Sequence, residues 1–598
     1  MVVRMRHILS IFTVVAAGLV GKAAVTESWD TYSDTWVATD DLGREVYNCD
    51  SDSAQQVRRP SEVGMFYYLW HGHHIVNHNA IFDVTEILGR NPENPEWGDL
   101  QEMHWWGKPL LGYYQSGNPY IVAKHLQMLS DAGVDFLFFD VTNGPIYESS
   151  VRAVMREIDR RTAAGMKSPR LSFMCYWGGA HEVELLYNTF YSDSSNDRYW
   201  YYYQGRPLIL ANPADTLELN NPAIAQRFTF RRSWAWMKGK NPREWAWLEH
   251  YPQAPGYDSD PSVPEQLSVS VAQHASSKIG KSFHCGKQPP LNRYALTDST
   301  SWGLYFEEQW KTAHRLHPPV LMITQFNEWT AQRYVVKDSA DIKYARPLGK
   351  SEFGETMFVD TYNAEFNRDI EPSTHPLIRD NYYMQFVSHM HRYKGCRAIP
   401  CVGRSKIKAG ADIRQWSAVQ YEYRDDRVDT LCCNSPGYNR LDTIVNEYGR
   451  NDLIVAKVAH DKCNFHFYLR SSDPWRFEPS GTGVTLLIAA GDATNWHGYT
   501  HRIYINGSGE ATVSRCSESG KYQWTPIASI PCRIEGNELQ VAVPRKYLNG
   551  VAGHFDFKWI DNLADVCPQL DVLDFYIIGD VAPNARFNYR YKFYDNEK

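Results

Sequence analysis

The chain has 598 residues, 43% hydrophobic and 22% charged, a globular composition that excludes a mainly disordered, collagen-like or coiled-coil protein. Its 62 Lys and Arg against 69 Asp and Glu give a net charge of −7, which argues against nucleic acid as the main partner. Aromatic residues make up 14% of the chain. Because aromatic faces stack on sugar rings, this content favours a carbohydrate ligand as much as it favours large aromatic cores.

The first residues predict export. Arg4 and Arg6 precede an apolar run over residues 8–21, and the small residues Gly21 and Ala23 follow. This is the order of a secretory signal peptide, which we place at residues 1–23, so the mature protein is expected to be secreted or periplasmic. No later apolar run is long enough to span a bilayer, and we expect no integral membrane segment in the mature chain. Residues 24–60 are polar and are predicted to be an N-terminal extension lying across the next domain.

The chain contains eleven cysteines. Export permits disulfides, and an odd number leaves at least one thiol unpaired within the chain. Cys396 and Cys401 are spaced to close a small loop, while the pairing of the other cysteines is left open. No CxxC pair occurs, so we expect no zinc ribbon.

Residues 61–395 alternate short apolar runs with longer helical patterns. Strands are predicted at 65–70, 134–139, 171–176, 207–211, 228–232, 245–248, 267–271 and 320–324, and helices at 119–132, 148–163, 181–190, 302–316 and 380–393. Eight strands separated by helices indicate an α/β fold, a (β/α)8 TIM barrel. A doubly wound open sheet is the structural alternative, because the fourth to sixth strands are short and irregularly connected.

The composition changes after the barrel. Residues 396–412 are polar and basic and are predicted to be a linker. In residues 413–598, alternating runs are punctuated by glycine-containing turns; strands are predicted at 453–458, 464–469, 484–489, 502–505, 539–543, 554–559 and 574–578. This pattern is typical of an antiparallel β-sandwich domain.

Two carboxylates are the predicted catalytic residues. In a barrel, catalytic groups project from the C-terminal ends of the strands. Glu328 closely follows the last predicted strand, and Asp140 ends the second. Glycosidic bond cleavage needs a proton donor and a second carboxylate, and we assign these roles to Glu328 and Asp140. The alternatives are a glutamate bonded to the backbone and an aspartate that caps its loop.

Other polar and aromatic side chains follow the same strand ends, and we expect them to contact substrate. They are His71, His73, Trp177, Glu249, Tyr251, His274, Asn327 and Trp329. Each has an alternative role in the protein core.

His71-Gly72-His73 supports a second hypothesis. A His-x-His pair after the first barrel strand binds metal in hydrolases of the amidohydrolase type. That arrangement also requires histidines after middle strands, which His250 and His274 provide, and an aspartate after the last strand, where this chain has Glu328 instead. We therefore favour hydrogen bonding to sugar hydroxyls over a metal site, and expect no cofactor.

The residues Ile323-Thr324-Gln325-Phe326-Asn327-Glu328-Trp329 resemble the closing strand of glycoside hydrolase family 99 and the WbsX-like group. Further matches are Phe66-Tyr67-Tyr68, Tyr113-Tyr114-Gln115-Ser116 and Ala132-Gly133-Val134-Asp135-Phe136. The resemblance implies a (β/α)8 barrel that cleaves or handles polysaccharide, with the family's catalytic glutamate at Glu328. Endo-mannosidase members have a second glutamate three residues later, where this chain has Ala331. Arg368-Asp369-Ile370-Glu371-Pro372 resembles the group's trailing glutamate-proline at an unusually long distance.

The C-terminal region resembles family 9 carbohydrate-binding modules and their DOMON-like relatives. The matches are Val455-Ala456-Lys457-Val458, Asn464-Phe465-His466-Phe467-Tyr468 and Asn495-Trp496-His497-Gly498-Tyr499. This resemblance implies sugar binding, with Trp475 and Trp496 as platforms or as packed core residues.

Taken together, the sequence predicts a secreted glycoside hydrolase acting on a polysaccharide or glycan. A metal-dependent hydrolase and a non-catalytic glycan-binding protein remain as alternatives. The substrate sugar, the stereochemical outcome and the oligomeric state are left open.

Overall fold

The computed structural model describes residues 28–51, 60–75, 77, 79–175, 179–212, 220–237, 241–290, 298–345, 352–477, 482–491, 494–548, 551–563 and 570–595. The predicted signal peptide and Trp177 lie outside these residues.

The described strands and helices are numbered in chain order. The strands are β1 (Glu62–Tyr67), β2 (Phe82–Asp83), β3 (Met103–Trp105), β4 (Phe136–Asp140), β5 (Arg170–Met174), β6 (Tyr202–Tyr203), β7 (Arg206–Leu210), β8 (Thr229–Arg231), β9 (Gln266–Ser270), β10 (Val320–Thr324), β11 (Thr330–Val335), β12 (Thr356–Phe358), β13 (Cys401–Val402), β14 (Tyr423–Arg424), β15 (Cys433–Pro436), β16 (Thr443–Asn446), β17 (Leu453–His460), β18 (Asn464–Ser471), β19 (Val484–Ala489), β20 (His501–Ile505), β21 (Glu510–Cys516), β22 (Trp524–Glu535), β23 (Glu538–Pro544), β24 (His554–Asp561), β25 (Asp580–Ala582) and β26 (Tyr589–Phe593). The helices are α1 (Val84–Arg90), α2 (Pro119–Asp131), α3 (Glu148–Ala163), α4 (Ala180–Leu186), α5 (Pro222–Arg227), α6 (Leu304–Leu316), α7 (Ile342–Ala345) and α8 (Asn381–Lys394).

Seven parallel strands form a curled sheet of the TIM-barrel type. Their order is β8-β7-β5-β4-β1-β10-β9. Met65 in β1 pairs with Leu137 on one side and Ile323 on the other. Strand β10 is buried at all five positions, as expected of a parallel strand covered on both faces, and the sequence predicted its bounds correctly.

Residues 244–248 bridge the gap between β8 and the far edge of the sheet. Glu244 and Leu248 form isolated parallel bridges with Arg232 and Ala235. The sequence predicted a strand here, and that prediction is wrong for a local reason. The edge of β9 is already taken by Gly256, which bridges antiparallel to Gln266, so residues 245–248 have no second strand to pair with.

The barrel helices form where the apolar spacing predicts them. Helix α3 has the predicted bounds, and α2 ends one residue earlier than predicted. Asn118 caps α2 by accepting the backbone N–H of Tyr120, and Pro119 occupies the first turn, where no N–H is needed. The predicted helix 181–190 is split, because α4 ends at Leu186 and a wider π-type turn follows over Tyr187–Tyr191.

A second, smaller sheet forms next to the C-terminal end of β10. Its order is β12-β11-β3-β2. Only five residues separate the end of β10 from the start of β11, so the loop between them connects the barrel directly to this sheet. Residues 325–329 of that loop include Glu328.

Strands after residue 400 build a large, mainly antiparallel sheet. Its order is β13-β26-β24-β19-β20-β21-β22-β23-β18-β17-β14. The two halves of this sheet face each other, since Phe465 of β18 lies 5.1 Å from Phe555 of β24 and Tyr423 of β14 lies 5.0 Å from Phe557 (ring centroids). An aromatic core therefore fills the space between the halves.

The last predicted strand, 574–578, is instead a 3-10 helix over Val572–Tyr576. The Asp571 carboxylate accepts the backbone N–H of Leu573, and the Asp574 carboxylate accepts that of Asp571. These two bonds form a capping box, which starts a helical turn and overrides the alternating apolar pattern.

The N-terminal extension contacts the large sheet as well as the barrel. Val37 forms an antiparallel bridge with Asn588. Arg586, two residues before Asn588, donates to Asp380 at 2.7 Å and to Asp41 at 2.9 Å. The predicted linker is not free chain, because it contributes strand β13, which pairs with β26.

Ten of the eleven cysteines are described, and each is a free thiol. The suggested bond between Cys396 and Cys401 is not formed: the first is buried and the second is exposed. Among the described helices, none is both long and apolar enough to cross a membrane.

Candidate functional site

Glu328 lies in the loop that connects the barrel to the smaller sheet. It is 2% exposed, and its carboxylate Oε2 accepts a hydrogen bond from the Arg368 guanidinium at 2.8 Å. Its backbone N–H donates to the Asp369 carboxylate at 2.6 Å. Side chain and backbone are thus both held by residues about forty positions later in the chain.

The segment 368–372 docks along the whole loop 325–329. Arg368 also donates to the side-chain oxygen of Gln325 at 2.6 Å. The backbone N–H of Glu371 donates to the Phe326 carbonyl at 3.0 Å, and the Glu371 carboxylate accepts the indole N–H of Trp329. This segment is the one whose glutamate-proline the sequence singled out, and it fixes the position of Glu328.

The surroundings of Glu328 favour its protonated form. Burial raises the pKa of Glu328 well above its usual range; the Arg368 guanidinium opposes this shift, and the negative charges of Asp360, Asp369 and Asp140 add to it. A carboxyl group that keeps its proton near neutral pH is the requirement for a general acid.

Asp140 ends strand β4, as the sequence predicted, and is 7% exposed. Its Oδ1 accepts the backbone N–H of Thr142 at 2.9 Å, so it also caps the following loop. Burial raises the pKa of Asp140 to about 6, opposed by the bond from Thr142 and reinforced by Asp360. Asp140 lies close enough to Glu328 for its charge to raise the pKa of that residue.

Asp360 is a carboxylate that the sequence reasoning missed. It follows strand β12, and its side chain is 43% exposed, the most open of the carboxylates acting on Glu328. Its Oδ1 lies 3.9 Å from Nε2 of His274. Partial burial raises the pKa of the Asp360 carboxyl, and the positive charge of Arg368 opposes this shift. No local sequence signal marks Asp360, because it reaches the site through the smaller sheet.

His274 follows β9 and is brought to the same site. It is 8% exposed, and its Nδ1 shares a hydrogen bond of 2.8 Å with the Ser276 hydroxyl. Burial lowers the pKa of His274 to about 3, helped by the positive charges of Arg368 and Lys343. His274 is therefore neutral at physiological pH, so one ring nitrogen can donate a hydrogen bond and the other can accept one.

Half-buried indoles lie around these groups. The Arg368 guanidinium lies over the Trp247 ring at 5.7 Å, and Trp236 makes an edge contact with His274 at 5.9 Å. Both tryptophans are partly exposed. Each offers part of a flat apolar ring face beside the groups that hold Glu328.

Trp329 itself is in the core. It is 0% exposed, stacks on Trp106 at 4.6 Å, and donates its indole N–H to Glu371. Fully buried, with its ring on Trp106 and its N–H bonded, it presents no ring surface to a ligand in this structure. This geometry corrects the expectation of a sugar contact at Trp329.

Asn327 and His71 are likewise used within the protein. The Asn327 side chain accepts the backbone N–H of Tyr68 at 2.9 Å and donates to its carbonyl at 3.2 Å, which ties the loop after β10 to β1. His71 Nε2 donates to the Asn327 carbonyl at 2.8 Å, and its ring stacks on Trp105. Asn327 is 0% and His71 1% exposed, so both hold the scaffold beneath Glu328 rather than a ligand.

The remaining predicted contacts are spread around the rim. His73 lines an open depression of about 710 Å³ together with Tyr147 and Arg152. Glu249 is 3% exposed, and its backbone carbonyl accepts a hydrogen bond from Gln273. Tyr251 is 41% exposed. The roles of these residues in substrate contact stay predictions.

The metal hypothesis requires His71 and His73 to converge. His71 bonds the Asn327 carbonyl, whereas His73 faces the Ser150 hydroxyl at 3.4 Å. Within the described chain, the groups of potential metal ligands that lie close together do not include either histidine. The pair therefore does not form the amidohydrolase arrangement.

Comparison with known proteins finds similar solved structures only. No family model matches the chain, and no curated protein matches it. Among solved structures, it is similar to a GH99 endo-alpha-mannosidase from Bacteroides thetaiotaomicron, at 15% identity and TM-score 0.31, over 56% of this chain and 97% of that one. The same enzyme with bound bis-tris propane gives 15% identity and TM-score 0.30 with the same coverage. A glycoside hydrolase-like protein matches at 12% identity and TM-score 0.26, over 57% of this chain and 96% of that one.

These structural neighbours are glycoside hydrolases or resemble them. TM-scores this low do not establish a common fold, so the geometry around Glu328 has to carry any argument about function.

Proposed function

We propose that the protein is a glycoside hydrolase that cleaves a polysaccharide or glycan by carboxylate acid/base chemistry. The observation that carries the proposal is a buried glutamate just after barrel strand β10, bonded to Arg368 and close to other carboxylates whose charges raise its pKa. Glu328 meets this description, with its pKa raised by burial and by Asp360, Asp369 and Asp140.

In this mechanism Glu328 donates its proton to the oxygen of the departing sugar. As that proton leaves, Glu328 becomes an anion, and the Arg368 guanidinium at 2.8 Å stabilises the new charge. The same arginine is held by Gln325 at 2.6 Å, so its position is fixed before the reaction begins.

A second carboxylate must meet the positive charge that develops on the sugar. Asp140 is the predicted partner and stands at a strand end, where barrel enzymes place catalytic groups. Asp360 is the alternative, favoured by its exposure of 43%. A carboxyl separation of roughly 5–5.5 Å implies retention of anomeric configuration, and about 6.5–9.5 Å implies inversion.

Trp247 and Trp236 are the proposed sugar platforms in place of the buried Trp329, and the predicted contact at Trp177 stays a prediction. Both are partly exposed and flank the residues that hold Glu328. The neutral His274 would supply a hydrogen bond to a sugar hydroxyl.

A polysaccharide screen with product analysis by mass tests the proposal. The wild type is compared with Glu328→Gln and with Glu308→Gln, a matched control on helix α6 that is 4% exposed and accepts the Cys285 backbone N–H. We expect Glu328→Gln to lower kcat by roughly 10³-fold or more while glycan binding persists, since a general acid and its charge stabilisation are lost together.

The same comparison separates the competing functions. A glycan-binding protein would retain ligand in both variants and show no turnover in the wild type. Turnover that survives in Glu328→Gln but requires added metal would favour a metal-dependent hydrolase.

Two further features belong to the proposal. The N-terminal pattern supports export, which N-terminal sequencing of the mature protein would test by finding cleavage near residue 23. The large antiparallel sheet, with its two facing halves, supports a β-sandwich module similar to family 9 carbohydrate-binding modules. Trp496 is 1% exposed there and Trp475 is partly exposed, so Trp475 is the better candidate for sugar contact.

A further inference from the structure

Three buried aspartates converge where the large sheet meets the barrel. Asp425 and Asp429 lie in the segment between β14 and β15, and Asp580 begins β25. One carboxylate oxygen from each lies within 4.8 Å of the other two. The residues are 1%, 9% and 3% exposed. Carboxylates this close repel each other strongly when water is excluded, so the cluster needs either protons or a bound cation.

The oxygens of this cluster also lack hydrogen-bond partners. Among the residues that the structure describes, none donates a hydrogen bond to either oxygen of Asp425 or to Oδ1 of Asp429, and all three atoms are buried. The other oxygen of Asp429 accepts from Gln127 at 2.6 Å, and Asp580 Oδ2 accepts the backbone N–H of Leu453. A fully buried carboxylate with two unbonded oxygens is rare in a folded protein, and a bound cation is one group that would satisfy both oxygens.

The neighbouring cations are engaged elsewhere. Arg161 forms an ion pair with Asp426 at 3.0 Å. Lys558, which is 0% exposed, donates its ammonium to the Pro583 carbonyl rather than to Asp425. Lys124, whose charge lowers the pKa values of Asp429 and Asp580, donates its ammonium to the Gln127 side-chain oxygen at 3.3 Å. These three cations therefore make their hydrogen bonds with groups outside the cluster.

We propose that Asp425, Asp429 and Asp580 bind a Ca²⁺ ion that joins the large sheet to the barrel. The converging ligands are carboxylate oxygens, which hard divalent cations prefer, with no sulfur or imidazole among them. Ca²⁺ accepts six to eight oxygens in flexible geometry, whereas Mg²⁺ retains several of its waters and demands a near-ideal octahedron.

The position of the site gives the ion a structural role. Asp429 is bonded to Gln127 on barrel helix α2, and Asp580 is bonded to Leu453 at the start of β17. The ion would therefore hold the barrel helix and the strands of the large sheet at one point. A groove of about 990 Å³, lined by Trp29, Asp131, Arg161 and Asp426, leads to the neighbouring residues and offers a route for the ion.

The test uses the full chain, dialysed against chelator and then titrated with CaCl₂. We expect about one Ca²⁺ per chain by metal analysis, and a rise in Tm of roughly 3–6 °C at a concentration well above Kd. Asp425→Asn keeps the shape of the side chain but removes its charge. It should abolish both the bound Ca²⁺ and the Ca²⁺-dependent shift in Tm.

Asp83→Asn is the matched control. Asp83 is 3% exposed, but its two oxygens are bonded by the Glu86 N–H and the Tyr113 hydroxyl. This substitution should change Tm equally with and without Ca²⁺. If Asp425→Asn does not fold, the metal content and Tm of the wild type decide alone.

A wild type that binds no Ca²⁺ and shows the same Tm with chelator and with Ca²⁺ would overturn the proposal, and would mean that shared protons hold the carboxylates together. Tighter binding of Mg²⁺ or Zn²⁺ than of Ca²⁺ would also overturn it. These readouts do not involve catalysis, so they are independent of whether the chain hydrolyses glycans.

Discussion

Glu328 and Arg368 form a buried ion pair of 2.8 Å, in which the arginine is 1% and the glutamate 2% exposed at the side chain. The arginine comes from a segment forty residues later that also binds the backbone of the same loop through Asp369. This pair joins the closing strand of the barrel to the docked segment 368–372. Two effects on the pKa of Glu328 oppose each other here, since burial favours the neutral acid and the guanidinium favours the anion.

Replacing Arg368 by Gln should therefore raise the pKa of Glu328 further. We expect the basic limb of the pH–rate profile to move to higher pH, because the anion loses its stabilising partner. Removing one member of a buried pair should also lower the free energy of unfolding by about 3–5 kcal/mol at neutral pH. Chemical denaturation and a kcat/KM profile measure the two effects.

Arg368→Lys is the control for this change. It retains the charge but loses the planar contacts to Gln325 and Glu328, so the limb should move less than in Arg368→Gln. A basic limb at the same pH in all three proteins would show that Glu328 is not the titrating acid.

Asp140→Asn should change how stability depends on pH. The pKa of Asp140 is raised to about 6 from 3.8, so the folded state holds this proton more tightly than the unfolded state. The stability it contributes is present below about pH 4 and is lost as pH rises through about 6, a difference of up to about 3 kcal/mol.

Because asparagine stays uncharged, the variant should be more stable than the wild type at about pH 7.5, with a smaller advantage at about pH 4.5. Asparagine Oδ1 can still accept the Thr142 N–H. Tm measured at the two pH values checks this, and parallel pH dependences in variant and wild type would refute it. If Asp140 is the second carboxylate, turnover falls by roughly 10²-fold or more.

Trp329→Phe should reduce stability without changing KM. Phenylalanine keeps an aromatic ring against Trp106 but removes the N–H that Glu371 accepts. Leaving one buried acceptor short of a donor should cost about 1–3 kcal/mol. Trp302→Phe, at a ring 48% exposed, should leave Tm nearly unchanged. A large rise in KM for Trp329→Phe at unchanged stability would instead place this indole against the sugar.

His71→Phe tests the structural role of that histidine. Burial lowers the pKa of His71 to about 3, so it is neutral and should contribute no limb to the pH–rate profile above that value. Phenylalanine preserves stacking on Trp105 but loses the bond to the Asn327 carbonyl, which should lower stability by about 1–2 kcal/mol. Turnover should not respond to added Zn²⁺ or Mn²⁺. Turnover that depends on such an ion and vanishes in the variant would restore the metal hypothesis.

The sequence was most informative where a residue's environment is local. Strand β10 and helix α3 have the predicted bounds, because a five-residue apolar run and a regular amphipathic pattern each define one element. Residues 245–248 differ, since strand formation needs a partner and Gly256 occupies the neighbouring edge.

The candidate site was only partly predictable for the same reason. Glu328 and Asp140 follow strand ends, which sequence patterns locate. Asp360 and Arg368 reach the site through the smaller sheet and the docked segment, and those long-range contacts leave no periodic signal. The neighbours of Glu328 in the chain were natural candidates for ligand contacts, but Asn327 and Trp329 are fully bonded within the protein.

The contacts of Arg586 have a consequence for how the protein is made. This arginine, near the end of the chain, bonds Asp380 at the start of α8 and Asp41 near the beginning. A ribosome synthesises residues in order, so Asp380 lacks this ionic partner until residue 586 has been made. Translation that stalls before residue 586 would release a barrel without the Arg586 contacts, a ready substrate for chaperones and proteases.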